Sequence, residues 1–412
     1  MHILFLTHYF PPEVNAPAAR THENARRWVK AGHKVTVITC APNHPSGIVY
    51  HGYENKWCQW DEKDGVKVLR VKTYLSPNKG VGNRSLNYLS YLFSAIVFCR
   101  LVKHVDLVVS TSPQFFCGLS GYFVSRLHRC PWVVEIRDLW PESIHAVGAV
   151  RAGGVIRLLE LIELFLYRKP NHIIALTTAF KRHIVNKGIP PEKIDIVTNG
   201  ADLEQFSPLP KENGFRETHD LKGKFITSYA GTFGMAHALE TVLKAAEILK
   251  SYPQIKFMLV GDGAERETLI RRKREMGLEN VLMLPQQRKE VIPGILAASD
   301  VCMVLLRKTE LFKTVIPSKI FEAMAMERPI ILGVDGESRE IVEGSGSGIF
   351  IEPEDAKQLA QTVLEMSRNT AWAENLGKAG GEFVRKHYSR DKLAMEYLDV
   401  LKTVAGSEVC AD

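Results

Sequence analysis

Lys319 and Glu322 are the two side chains whose types and spacing best fit a chemical task in this 412-residue chain. They lie in Thr309–Pro329, T-E-L-F-K-T-V-I-P-S-K-I-F-E-A-M-A-M-E-R-P. A loop runs into Pro317-Ser318, and an apolar helix follows and stops before Arg328-Pro329. Proline suits a first helical turn because its missing N–H would lack a partner there. Free amides at the helix start, the Ser318 hydroxyl and the Lys319 ammonium make a site suited to a diphosphate. Glu322, one turn deeper, can accept hydrogen bonds from two vicinal sugar hydroxyls, so the pattern fits a nucleotide-sugar. The same residues also describe a capped core helix with a solvated Lys and Glu. A second chemical stretch is Gly231-Thr232-Phe233-Gly234, where glycines between a strand and a helix let backbone amides approach phosphate; a tight turn alone would use them too. A third is Arg137-Asp138 behind the apolar run Trp132–Ile136. Charged residues at the carboxyl end of a buried parallel strand face a ligand crevice, although Asp138 could simply cap the next turn.

Elements that would position these residues alternate as strand and helix. His2–Thr7, Lys34–Thr39, Val66–Thr73, Val105–Thr111, Trp132–Ile136, His172–Thr177 and Ile194–Thr198 read as strands in the first half. Phe225–Ala230, Lys256–Val260, Asn280–Leu284, Asp300–Leu305, Ile330–Val334 and Gly348–Ile351 do so in the second. Helices read between them, among them Ala18–Ala31, Phe115–Arg129, Ile156–Tyr167 and Leu393–Val404. This is the pattern of doubly wound parallel sheets. The length suggests two domains of roughly 200 residues. Residues 40–65 read as a long polar and aromatic loop, and the stretch from Leu203 to about residue 222 as a linker. Arg84–Lys103 reads as a helix with a broad apolar face of Leu86, Leu89, Leu92, Phe93, Ile96, Val97 and Phe98 between basic ends. Such a helix suits a membrane interface or a place over the sheet.

Composition narrows the classes. Hydrophobic content of 45% and charged content of 24% are those of a globular protein. The net charge of +7 is uneven: residues 1–203 hold 25 Lys and Arg against 15 Asp and Glu, and the remainder 28 against 31. A basic first half points to an anionic partner such as a lipid surface or a pyrophosphate-linked acceptor. No zinc finger, RNA-binding aromatic signature or basic arm supports nucleic acid. Seven cysteines without C-x-x-C spacing argue against a disulfide framework or zinc site and fit a reducing cytoplasm. No secretory signal or membrane-spanning run is expected.

P-S-K-I-F-E-A-M-A followed by R-P-I-I resembles the donor-site helix of family 4 glycosyltransferases, which have the GT-B fold. R-D-L-W-P-E-S at 137–143 is similar to the bacterial surface-polysaccharide branch with WbuB-like and WcaI-like members. The resemblance implies two Rossmann-like doubly wound domains facing a central cleft. Residues 1–205 would bind acceptor and 206–387 the nucleotide-sugar, with 388–412 a terminal helix crossing back to the first domain. Transfer of a sugar from a nucleoside diphosphate, expected to be UDP, to a hydroxyl of a polyprenyl-pyrophosphate-linked sugar is the implied reaction, at the inner face of the plasma membrane. Lys319 and Asp138 would carry the chemistry, Asp138 receiving the acceptor proton with Arg137 or Glu142 nearby. Gly231, Thr232, Phe233, Gly234, Gly261, Gly263, Ser318, Lys319 and Glu322 would hold the donor, and Arg288 could stack on its base.

The chain also departs from the family. The family's second glutamate, eight residues before the ribose ligand, is here Thr314. Asn15-Ala16-Pro17 stands where relatives often have glycines near the donor pyrophosphate, which leaves Asn15 an acceptor-side residue. The glycine loop at 231–234 lacks the usual Arg and Lys. No D-x-D motif is present, so neither metal nor cofactor is expected, and same-face, retaining attack follows by resemblance. A nucleotide-sugar 2-epimerase of the same fold and a catalytically degenerate partner subunit are the competing readings. A nicotinamide enzyme is disfavoured, since no G-x-G-x-x-G follows the first strand.

Overall fold

A computed structural model describes residues 1–44, 46–76, 81–112, 115–139 and 154–407, and the statements below concern those residues. Glu142 and the rest of the W-P-E-S stretch lie outside them. The chain divides into two compact units, residues 1–198 with the chain from Asp391 onward, and Asn199–Arg390.

The first unit is built on an eight-stranded sheet. Its strands are β1 (His2–Leu6), β2 (Lys34–Cys40), β3 (Cys58–Lys63), β4 (Val66–Val71), β5 (Leu107–Thr111), β6 (Trp132–Ile136), β7 (His172–Ala175) and β8 (Ile194–Ile196). They lie in the order β3-β4-β2-β1-β5-β6-β7-β8. All pairs are parallel except β3 with β4. Every residue of β1, β5 and β6 is buried, as expected of strands covered on both faces. Strand order reverses between β1 and β5, so the loops at their carboxyl ends flank the crevice where open α/β sheets bind ligands. That places the start of α1 (Ala16–Lys30) and the residues following β6 at the same end of the sheet.

Two sequence expectations change here. Residues 58–63 are an edge strand within the expected loop. It forms a hairpin with β4 through Asp64-Gly65, both at positive φ, as the tight turn requires. The run C-Q-W-D-E-K has no apolar alternation because this edge faces water. The helix α2 (Val81–Phe98) is apolar on two sides rather than one. Tyr88, Tyr91, Leu92 and Ala95 enter the core, and the Tyr91 hydroxyl donates to Ile38 O at 2.8 Å. Leu86, Phe93 and Val97 point outward, 54%, 65% and 63% exposed. On α3 (Phe115–His128), Phe123 and Leu127 are exposed as well.

A terminal helix, α6 (Arg390–Ser407), joins the first unit from Asp391 onward. Trp28 of α1 donates its indole N–H to Ala394 O at 2.9 Å and meets Tyr397 edge-on at 5.2 Å between ring centres. Arg27 pairs with Asp391. Helix α4 (Gly154–Arg168) packs its Phe165 against Tyr122 of α3, with 5.0 Å between centroids.

The second unit holds a six-stranded, wholly parallel sheet of β9 (Phe225–Ala230), β10 (Ile255–Val260), β11 (Val281–Leu284), β12 (Val301–Leu305), β13 (Ile330–Gly333) and β14 (Gly348–Phe350). Their order is β11-β10-β9-β12-β13-β14. The order reverses between β9 and β12. The glycine loop follows β9, and the chain leaving β12 leads into α5 (Lys319–Ala325), so the crossover brings both to one crevice. The expected linker is partly folded into this unit. Asn213 caps a short helix, Gly214–Thr218, whose buried Arg216 donates to Ala298 O at 2.8 Å and Asp300 at 2.7 Å. Arg216 is the buried charge of this stretch, and most of its other polar residues are exposed.

Candidate functional site

Lys319 is the centre of the second unit's site. Its Nζ lies 3.8 Å from the centroid of the Tyr229 ring and beside Gly231. A Cβ on Gly231 would occupy the space of that ammonium, and the residue sits at φ +151, so only glycine lets the lysine in. The Tyr229 hydroxyl donates to Thr232 O at 2.8 Å, which fixes the ring and the loop together. Among the described residues, no carboxylate lies within ion-pair distance of Lys319. Burial therefore pulls its pKa down to about 7, with Glu322 only partly offsetting the loss of water. His237 is held neutral by the same surroundings, its pKa lowered to about 4 by burial and by Lys319, and its Nδ1 is buried without a partner.

Glu322 sits one turn into α5, and its carboxyl is raised by burial. Arg390, Lys319 and Lys289 each act against that rise. An acid left short of water, facing cations but bonded to none, suits hydroxyl donors from a ligand. Ser318 differs from expectation. It is the N-cap in helical conformation, and its hydroxyl makes no capping bond. Its carbonyl takes the amides of Phe321 and Glu322, and Pro317 O takes that of Ile320. Pro317 thus precedes the helix, and only the amides of Ser318 and Lys319 lack a backbone acceptor. In a seven-residue helix the lysine rather than the helix end supplies most of the positive charge.

The glycines of 261–263 hold the loop in place. A methyl group on Gly261 would collide with Gly231 O, and one on Gly263 with Phe233 O. These close approaches lock the two turns together, with Phe233 N donating to Asp262 O at 2.8 Å. The Phe233 ring is fully buried in the core and both its backbone groups are bonded, so its part is packing. Gly234 stands beside His237 without crowding. Arg288 is exposed at the loop after β11. Thr314 closes a 3-10 turn by donating to Leu311 O at 2.7 Å.

In the first unit, Arg137 and Asp138 follow β6 directly and Asn15 caps α1, its carboxamide oxygen accepting from Ala18 N at 2.9 Å. The Arg137 backbone is tied to Ser112 Oγ at 2.8 Å. Arg20 grips the buried Glu135 at 2.8 Å, and Thr111 donates to the other carboxylate oxygen at 3.1 Å. Burial alone would raise Glu135, yet Arg20, Arg137 and these hydrogen bonds hold it below the usual carboxylate range.

Residues 15–200 match the family model described as a glycosyl transferase 4-like domain, and residues 211–383 that of the glycosyl transferases group 1. The chain belongs to the family 4 glycosyltransferases, with the GT-B fold. This glycosyltransferase is 24% identical over 385 residues to the WcaI glycosyl transferase of Escherichia coli K12, named for colanic acid biosynthesis, covering 90% of this chain and 94% of the relative. It is 24% identical to the UDP-Gal:alpha-D-GlcNAc-diphosphoundecaprenol alpha-1,3-galactosyltransferase of Escherichia coli, covering 69% and 72%. Its fold matches sucrose-phosphate synthase of Thermosynechococcus elongatus with a TM-score of 0.77 at 17% identity, covering 98% and 99%. Anabaena HepE in complex with UDP matches at 0.72 and 17%, covering 98% and 100%.

Sequence reasoning missed three members of the glycosyltransferase's second-unit site. Tyr229 reads as an ordinary core residue of β9, His237 as a loop residue, and Arg390 lies far along the chain. Only Gly231, standing two residues after Tyr229, hinted that something approaches that loop closely.

Proposed function

We propose that the protein transfers a sugar from a UDP-sugar to a hydroxyl of a sugar carried on a polyprenyl diphosphate, in the building of a surface polysaccharide. The half-buried Lys319 ammonium, set against Tyr229 and Gly231 with no carboxylate in ion-pair reach among the described residues, is the observation that carries this reading. An ammonium partly withdrawn from water and free of a carboxylate partner is strong toward a diphosphate. Glu322 takes the ribose hydroxyls, and the 231–234 loop borders the phosphates. As the bond from the anomeric carbon to the diphosphate breaks, the negative charge left on the leaving oxygen is met by Lys319. The acceptor oxygen bonds to the anomeric carbon, and its proton passes to Asp138 or to the departing diphosphate. Attack on the face from which the diphosphate leaves gives retention without a metal. Support for donor and acceptor classes comes from the relatives, one solved with UDP and one named for a UDP-sugar and an undecaprenol-linked acceptor.

The first unit would meet the lipid. No helix among the described residues is long and apolar enough to cross a membrane. The outward stripe of Leu86, Phe93 and Val97, beside exposed Arg100 and Lys103, suits the interface of an anionic bilayer. The test is a thermal-shift panel of UDP-sugars, then transfer assays with undecaprenyl-diphosphate-linked sugars for wild type, K319M and D138N. Donor binding that K319M weakens about ten- to a hundredfold, with acceptor-dependent product that D138N slows at least about tenfold, is the expected result. A protein that binds no nucleotide-sugar, or that converts its donor equally well without acceptor, refutes the reading.

A further inference from the structure

Arg390 comes to the second unit's site from the far end of the chain, and local contacts hold it there. Residues 388–390 run beside 200–201: Ala201 N donates to Tyr388 O and Arg390 N to Ala201 O, both at 2.9 Å. The Arg390 Nε donates to Gly200 O at 3.0 Å. Two residues earlier, Tyr388 stacks on Phe321 of α5, with ring centres 4.6 Å apart and planes at 26°. Phe321 directly precedes Glu322, so the stack ties the Arg390 segment to the turn that carries this carboxylate. All of these residues belong to the second unit. Arg390 Nη1 is nevertheless buried without a hydrogen-bond partner, and among the described residues no ion pair joins Arg390 to Glu322.

A carboxylate withdrawn from water stays ionised only with positive charge nearby. Burial is the strongest influence on Glu322 and raises its carboxyl; Arg390 is the leading charge acting against that rise, ahead of Lys319 and Lys289. The three cations are not equivalent. Lys319 has its own pKa pulled down to about 7 by burial, so its charge fades through neutral pH. Lys289 is a half-buried amine on a flexible stem in the loop after β11. A guanidinium keeps its charge across this range, and here the Nε bond fixes its place. The other titratable group facing Glu322, the Cys302 thiol of β12, is pushed up to about 11 by burial and stays neutral. Direct contact would have cost function: an arginine bonded to the carboxylate occupies the lone pairs that a ligand's hydroxyls need. A guanidinium held close but unbonded supplies charge and leaves the acceptors open.

We propose that Arg390 is a positioning residue for the nucleotide: it keeps Glu322 ionised without bonding it, so that both carboxylate oxygens remain free for the ribose hydroxyls. This rests on the reading above that Glu322 takes the ribose. The test compares wild type, R390Q, R390K, E322Q and the double variant by calorimetry with UDP from pH 5 to 8. UDP serves as the probe because its own ionisation cancels in the ratio of wild-type to variant affinity at each pH. Without Arg390 the carboxyl takes up its proton at higher pH, and a protonated carboxyl has lost an acceptor. The ratio of wild-type to R390Q affinity should therefore be near one at pH 8. It should grow toward about tenfold, the loss expected of E322Q, as pH falls to 5. R390K should restore most of the wild-type profile. In the E322Q background R390Q should have no further effect, because no charge is left to hold.

Melting temperatures without nucleotide give a second arm. R390Q leaves an ionised carboxylate buried without its leading counter-charge, so it should fall further below wild type at pH 8 than at pH 5, and E322Q should remove that pH dependence. A loss of UDP affinity that is the same at every pH, or that adds in full to the loss in E322Q, would overturn the proposal. Full UDP affinity in E322Q would sink the ribose reading and this proposal together, whereas a weakened E322Q beside an unaltered R390Q sinks this proposal alone.

Discussion

Protonation of Lys319 should be coupled to donor binding, and the size of the coupling follows from its surroundings. The empty site holds the ammonium near pKa 7, because burial beside Tyr229 and Gly231 removes water and supplies no carboxylate. A charge-assisted hydrogen bond to a diphosphate is worth about 1.5–3 kcal/mol, which raises the bound pKa by roughly one to two units. Affinity for a UDP-sugar should therefore be level below about pH 6, weaken as pH rises through 7, and level again near pH 8–9, a total loss of about ten- to a hundredfold. A UDP-sugar is the right probe because it lacks the terminal phosphate ionisation of free UDP. Calorimetry near pH 8 in buffers of different ionisation enthalpy should report uptake of between roughly half and one proton per donor bound. K319M should show no uptake, bind at pH 6 as weakly as wild type does at pH 9, and lose the pH dependence. The sign for stability is also fixed. The unfolded chain keeps this lysine protonated up to its ordinary pKa, so between pH 7 and about 10.4 it binds more protons than the fold. Wild type should thus gain stability relative to K319M as pH rises through that window. Donor affinity that stays flat from pH 6 to 9 in wild type while K319M is weaker throughout would show a lysine that is never neutral and refute this account.

Glu322→Gln should weaken UDP and UDP-sugar alike by about tenfold with the fold intact; a donor lacking the ribose 2′- and 3′-hydroxyls should then bind mutant and wild type equally, and a full loss in both would move Glu322 off the ribose. Gly261→Ala places a methyl group against Gly231 O and should cost about 1–3 kcal/mol of stability, measured by denaturant titration; a neutral result would show that the two turns can separate. Arg84, Arg100 and Lys103 replaced together by Gln should reduce flotation with anionic liposomes, each cation contributing about 1 kcal/mol at low salt, while leaving UDP affinity unchanged; wild-type protein that ignores such vesicles yet transfers sugar to a soluble acceptor would return α2 to a purely structural role.

The sequence by itself determined the alternation of strands and helices and the position of Lys319, because a parallel sheet buried on both faces demands apolar runs such as H-I-L-F-L and W-V-V-E-I, and a crevice residue must stand at their ends. It also carried the resemblance in P-S-K-I-F-E, a local motif that one helix and its approach contain entirely. It could not show that residues 58–63 pair as an edge strand, since a strand open to water needs no apolar pattern. Nor could it separate the two sides of α2, because Leu92 and Phe93 are equally apolar and only the sheet beneath decides which one is covered. The close approach of the Gly231 and Phe233 carbonyls to the glycines at 261 and 263 was equally hidden, since it arises only when two turns from different strands meet. Protonation was the least legible feature. Lys319 is an ordinary cation in sequence, and its lack of a carboxylate partner among the described residues arises only when strands distant in the chain close around it.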